Sequence, residues 1–390
     1  MIWRYRKLGI ECSNSSTDKQ VCSHCVKTVI ITILTLILSI SVYGNDGAYL
    51  TRGGVIYPTL ESKISLDREI LSFSVQDNVC RVDILFEFNN PDNIDKKLLV
   101  GFQAPIATGD ISEEIHNTNQ IADFKIISNG QVLPYKLKAA ECENCELKEP
   151  KDIHFSEFKP GIFVYLFELT FKPGLNKVNH SYMFPASSNV VLDQIYNYIL
   201  TTGSKWAGGR IKNLTVSFDL GYNKYFYVND VFGKNANWSI IGSGKITNEK
   251  MNNYGITNDA AKMVRIISGR LQIDIADFQP KSNIEFGIIN NNSFSAALTD
   301  KKPDKLLLAL KYLTLDLKFF EGKELTKEEL KLLRNTIYAQ YGYTFNSKDL
   351  QDYFTKFEWY LPDPNLTMEQ IKLTEKEKKF IDEILKREKE

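Results

Sequence analysis

Between Val79 and Ile289 apolar side chains recur at every second position, in short runs separated by turn residues. That alternation constrains the fold more than any other feature of the chain. A period of two places one set of side chains on one face of an extended strand, so each run reads as a strand half buried against a core. Val79–Phe88 precedes the turn Asn89-Asn90-Pro91-Asp92 and the run Lys97–Phe102. Phe124–Ser128 and Gln131–Leu137 flank Asn129-Gly130, a strong hairpin signal because both residues tolerate positive φ. Gly161–Phe171 turns at Pro173-Gly174 and returns through Val178–Met183. Leu214–Leu220 and Tyr225–Val228 join across Gly221-Tyr222-Asn223, Val264–Ser268 and Leu271–Ile275 flank Ser268-Gly269, and Asn283–Ile289 follows the Pro280 turn. Helical spacing is confined here to Val190–Leu200. Many short strands at such intervals predict a large antiparallel β-sandwich.

The pattern changes near Pro303. Residues 301–390 carry 35 charged residues in 90, against 61 in the other 300, and the spacing becomes helical. Thr326 with Glu329 forms a capping box ahead of Leu330, Leu333, Ile337 and Tyr341, and Gly342 stands where a left-handed stop belongs. Ser347 can cap a second helix carrying Leu350, Tyr353, Phe354 and Phe357. Thr374 with Glu377 is another box before Phe380, Ile381, Ile384 and Leu385. A small all-α module of three short helices follows, so the fold class is α+β multidomain.

The start of the chain carries an export signal. Thr28–Val42 is an uncharged run preceded by Lys27, of the length expected for a signal-peptide core and short of a membrane span. Val42-Tyr43-Gly44 supplies the compact residues for a cut between Gly44 and Asn45. Residues 1–25 lie before the signal and lack periodicity, and Val26-Lys27 reads as the true start, so 1–25 is a spurious extension and 26–44 the signal peptide. Export places Cys80, Cys142 and Cys145 in an oxidising compartment. Cys142 and Cys145 sit in a charged, turn-like segment and are expected to form a disulfide, whereas Cys80 alternates onto a core face.

Recognisable catalytic constellations are missing from the sequence. It has no G-x-S-x-G elbow, Gly242-Ser-Gly244-Lys245 lacks the rest of a phosphate loop, and His116, His154 and His180 are not spaced as H-E-x-x-H. No cofactor or metal is indicated. Lys+Arg and Asp+Glu both number 48, so the chain lacks the net basic field of a nucleic-acid binder. Trp206, set among Gly203, Gly208 and Gly209, is either a stacking platform for a ring or a plug closing one end of the sandwich.

Two resemblances complete the reading. Asn45-Asp46-Gly47-Ala48, Gly53-Gly54-Val55 and Thr202-Gly203-Ser204-Lys205-Trp206 running on to Gly209 make residues 45–295 resemble a family of exported bacterial domains of unknown function. Leu332 to Tyr343, then Phe345, Tyr353-Phe354, Trp359-Tyr360 and Pro362, resemble a YARHG domain over about 322–386. That module is named for a central Tyr-Ala-Arg-His-Gly, which reads Tyr338-Ala339-Gln340-Tyr341-Gly342 here. The expected domains are 45–299 and 322–390, joined by 300–321. Together these features imply an exported cell-envelope protein, periplasmic or extracellular, that binds an envelope glycan, peptide or protein without catalysis. The rival readings are an unrecognised envelope hydrolase and a structural scaffold. A membrane is met only through an uncleaved signal segment. Arg334, Tyr338, Trp359 and Trp206 are the candidate binding residues.

Overall fold

The computed structural model describes residues 46–52, 55–59, 63–105, 118–141, 145–155, 161–188, 192, 194–247, 261–289, 324–357 and 360–390. The signal segment, the Gly44–Asn45 bond, Cys142 and Trp359 lie outside them. Sixteen strands are found among the described residues. They are β1 (Asp46–Arg52), β2 (Val55–Thr59), β3 (Ser65–Gln76), β4 (Val79–Asn90), β5 (Lys96–Gln103), β6 (Ala122–Ser128), β7 (Gln131–Val132) and β8 (Lys136–Ala140). Then come β9 (Ile162–Phe171), β10 (Gly174–Pro185), β11 (Gln194–Tyr198), β12 (Ile211–Asp219), β13 (Lys224–Val228), β14 (Asn237–Ile246), β15 (Lys262–Phe278) and β16 (Ile284–Ile288).

The strands form two sheets. The smaller has the order β2-β1-β5-β9-β8, and the larger runs β11-β16-β13-β15-β12-β3-β4-β10-β6-β7 with β14 also on β15. All pairings in the larger sheet are antiparallel except β12 on β3, which is parallel with Ile211 opposite Leu66. The expected antiparallel architecture holds with this one parallel pairing added. The sheets face each other through aromatic rings. Phe102 lies 4.9 Å from Phe124 and 5.1 Å from Tyr182, and Phe88 meets Phe171 at 5.4 Å. The apolar run of β9 is buried on both faces, because Phe163, Tyr165 and Phe167 enter this core while Ile162, Val164 and Leu166 pack with Ala140 and Leu147. The larger sheet also curls on itself. Phe286 of β16 reaches Phe73 of β3 at 5.0 Å, although β13, β15 and β12 separate their strands in the sheet.

Local signals located most strands, with three corrections. Ser268-Gly269 is not a hairpin turn, since β15 runs unbroken from Lys262 to Phe278. Gly269 (φ +91°) passes against Gly242 (φ +122°) on β14, and a Cβ on Gly269 would lie 1.9 Å from the Ile241 carbonyl oxygen. Glycine serves close backbone approach there, a use with the same local signature as a turn. Within Val190–Leu200 the described elements are extended, Gln194–Tyr198 forming β11 on β16. The run Gln131–Leu137 is divided, because β7 pairs β6 in one sheet and β8 pairs β9 in the other. Asn129 (φ +47°) and Gly130 (φ +86°) do make the expected tight turn.

The C-terminal helices are α1 (Lys327–Gln340), α2 (Lys348–Phe354) and α3 (Glu375–Arg387). Both capping boxes form, Thr326 with Glu329 and Thr374 with Glu377. The Ser347 hydroxyl instead donates to Asp349, so α2 begins without its side-chain cap. Leu330, Leu333 and Ile337 pack on Phe380, Ile381 and Ile384, while Phe345, Leu350, Phe354 and Tyr360 make a second cluster.

Candidate binding face and the signature turn

The outer face of the larger sheet carries an ordered row of polar side chains. Register pairs Ser239 with Gln272, Gln272 with Ser217, and Ser217 with Ser72. Ser72 pairs with Asp83, Asp83 with Ser181, and Ser181 with Lys125. Seven strands, from β14 to β6, therefore present one level line of hydroxyl, amide and charged groups. With about 4.8 Å between strands, the line is roughly 29 Å long. Each member from Gln272 to Lys125 alternates with a buried neighbour, and Ser239 with the partly buried Trp238 and Ile240, which is why sequence periodicity aimed these side chains outward.

Two grooves lie over this face. One, of about 400 Å³, is lined by Ser72, Arg81, Asp83, Lys125, Asn179 and Ser181 among others. A second, of about 640 Å³, lies over Arg68, Asn213, Thr215 and Asp274. Hydrogen bonds hold several side chains in place before any ligand arrives. Ser217 Oγ donates to Ser72 Oγ at 3.0 Å, Thr215 Oγ1 to Asp274 Oδ1 at 2.7 Å and Gln272 Nε2 to Asp274 Oδ2 at 2.9 Å. Arg81 grips both oxygens of Asp83 at 2.8 Å, and this pairing raises the guanidinium pKa further. Arg81 answers the charge of Asp83, and the Asp274 carboxylate is held by the neutral Thr215 and Gln272. Among the described residues no cluster of His, Cys, Asp and Glu could hold a metal ion.

Behind this face the core contains a carboxyl group and an imidazole. Glu69 on β3 is 2% exposed and accepts a 3.0 Å hydrogen bond from Tyr198 Oη. Desolvation outweighs that bond and pushes its pKa up to about 8. His180, within about 5.6 Å centroid distance of Phe86, Phe102, Phe124 and Phe167, is pulled down to about 3 by burial. Both groups are neutral near pH 7 and enclosed, so they belong to the architecture. Sequence reasoning passed over Glu69, although a lone carboxylate at an inward position of an alternating strand is a readable signal.

The sequence-predicted site residues fall in separate places. Trp206 is 2% exposed and packs on Phe88 and Phe171 at 4.5 and 5.8 Å, with its ring enclosed in the sandwich. Arg334 Nε and Nη2 both donate to Glu388 Oε1, at 3.3 and 3.2 Å, tying α1 to the end of α3. Tyr338 is half buried against both helical clusters. Cys145 packs beside Ala140 and Leu147, and Cys80 is a free, fully buried thiol.

The turn at the end of α1 joins the helical module to the β-sheet body. Gly342 adopts φ +86°, and a Cβ there would lie 2.6 Å from the Leu361 carbonyl oxygen. Its own carbonyl accepts from Asp363 N at 2.8 Å. The Gln340 carbonyl accepts a 2.6 Å bond from Nη2 of Arg265 on β15, and the Tyr341 ring lies 5.7 Å from that of Tyr222. Arg265 was missed from sequence, though a single cation within the apolar Met263–Ile267 run marks it.

Comparison with known proteins bears mainly on this module. Curated proteins offer no sequence match to the chain. A crystal structure from Legionella pneumophila subsp. pneumophila str. Philadelphia 1, provisionally named a nutrient binding protein, aligns with 88% of this chain and 98% of its own. Its identity is 19% and its TM-score 0.43. A mutant M1 zinc metallopeptidase from Deinococcus radiodurans aligns with 59% of this chain and 44% of its own, at 8% identity and a TM-score of 0.25. Among the described residues no helix is long and apolar enough to cross a membrane. Residues 305–389 match the family model of the YARHG domain, a wider span than the aromatic pattern indicated. The C-terminal segment of this chain is a YARHG domain.

Proposed function

We propose that this is an exported cell-envelope binding protein whose β body holds an extended, largely uncharged glycan strand across the outer sheet face. The observation that carries the reading is the level row from Ser239 to Lys125. Its groups repeat at about the strand spacing of 4.8 Å, whereas an extended peptide repeats at about 3.3 Å per residue and falls out of step. A sugar ring in an extended glycan spans a distance close to one strand gap, so successive hydroxyls meet successive strands. Pre-bonded Ser72, Ser217 and Thr215 lose little side-chain freedom on binding, which favours a polar ligand. Export through a signal cut between Gly44 and Asn45, and a Cys142–Cys145 bridge, belong to the same reading.

Co-sedimentation with insoluble envelope glycan tests it. The parent chain should pellet with the glycan, and Ser72→Arg, which raises a bulky cation from the middle of the row, should stay in solution with an unchanged melting temperature. Equal pelleting of parent and variant would overturn the assignment.

A further inference from the structure

A helix ends with four carbonyls that lack intrahelical partners and with the negative end of its dipole. At the end of α1 one of these carbonyls, that of Gln340, is met by a guanidinium from the β body. Arg265 is 5% exposed, so this is an interior contact. The same guanidinium is oriented by the carbonyls of Lys224 at 3.1 Å and Ile266 at 3.4 Å and by the Asn223 side chain. It is therefore aimed before the helix arrives. Beside it Tyr222 supplies a half-exposed ring for Tyr341. Tyr341 Oη donates to Glu377 Oε2 of α3 at 2.8 Å, which carries the contact into the rest of the module.

We propose that the turn Tyr338–Gly342 is a docking element, and that the β13–β15 corner is a receptor shaped for the uncharged C-terminal end of a helix. This goes beyond the glycan assignment and does not depend on it. The division of labour within the turn supports it. Tyr338 and Ala339 pack inside the module, and Gly342 fits against Leu361. Gln340 meets the body through its main-chain carbonyl and Tyr341 through its ring, and these are the two positions at which this chain departs from Tyr-Ala-Arg-His-Gly. Position 340 is 7% exposed, so an arginine there would add a second buried cation on the residue whose carbonyl meets Arg265.

The test uses the full chain with a protease site inserted within residues 290–300, cut and then passed through size exclusion. The two fragments of the parent should co-elute. Arg265→Met should release the module, as should Gln340→Arg through like-charge burial. Tyr222→Ala, a half-exposed position that leaves the core intact, should weaken fragment association without changing the fold of either piece. Loss of the Arg265 contact should lower fragment affinity about tenfold or more, the scale of one hydrogen bond to a charged donor. Parent fragments that separate on cutting would overturn the docking, and Arg265→Met fragments that stay together as tightly as the parent's would overturn the receptor. Should Arg265→Met fail to fold, Gln340→Arg and Tyr222→Ala decide the matter. Glycan pelleting is a separate readout, so either proposal can fail alone.

Discussion

Raising the pH should weaken the β body through one carboxyl group. Glu69 is held at a pKa of about 8 by desolvation, against an ordinary 4.5, with only partial relief from Tyr198. An unfolded chain releases this proton near pH 4.5 and the folded chain near pH 8. The stability tied to Glu69 is therefore whole below pH 4.5 and is lost as the pH climbs to 8. At about 1.4 kcal/mol per pH unit the interval amounts to about 5 kcal/mol, comparable with the entire net stability of many domains. His180 works in the opposite direction. Burial takes its pKa from 6.5 to about 3, so its contribution is whole above pH 6.5 and is lost as the pH falls to 3. Between pH 4.5 and 6.5 the two slopes cancel and leave a plateau. Urea unfolding at several pH values between 4.5 and 8, for the parent and Glu69→Gln, isolates the carboxyl. All other groups drop out of the difference, which should grow by about 1.4 kcal/mol per pH unit in favour of the variant. Two parallel profiles across this window would refute the reasoning.

Four further outcomes can be measured directly. Trp206→Ala should cost about 3–5 kcal/mol by urea unfolding, because its ring fills the space between Phe88 and Phe171. Gly269→Ala should cost at least about 2 kcal/mol by the same assay, since its φ and its approach to the Ile241 carbonyl both exclude a Cβ. The Cys80 thiol, fully buried and with its pKa pushed up by desolvation, should resist thiol reagents until the chain unfolds. Non-reducing peptide mapping should then find Cys142 linked to Cys145 and Cys80 reduced.

What could be read from sequence was what neighbouring residues decide. The β4 alternation, the Asn129-Gly130 turn and the two capping boxes are each set within a few residues, and each formed as read. Gly269 was misread because a glycine at a tight turn and a glycine under a crossing backbone look alike until the partner strand is known. The pairing of β3 with β12, the curl that brings Phe286 to Phe73, and the meeting of Arg265 with Gln340 join residues far apart in the chain. No local pattern encodes them. The polar row shows the same limit, since alternation aimed each side chain outward but only register placed Ser72 between Ser217 and Asp83.

The parallel pairing of β12 with β3 also sets a timetable for folding. Ser72 and its partner Ser217 are 145 residues apart, so β3 emerges long before the strand that completes one of its edges. Until β12 arrives, β3 and β4 can form their hairpin, but the other edge of β3 shows unpaired amides and carbonyls to any strand nearby. Contacts this distant slow folding, and an open edge during that delay invites pairing with other copies. Refolding yield should therefore fall with protein concentration, and the segment most in need of shielding during synthesis is Ser65–Gln76.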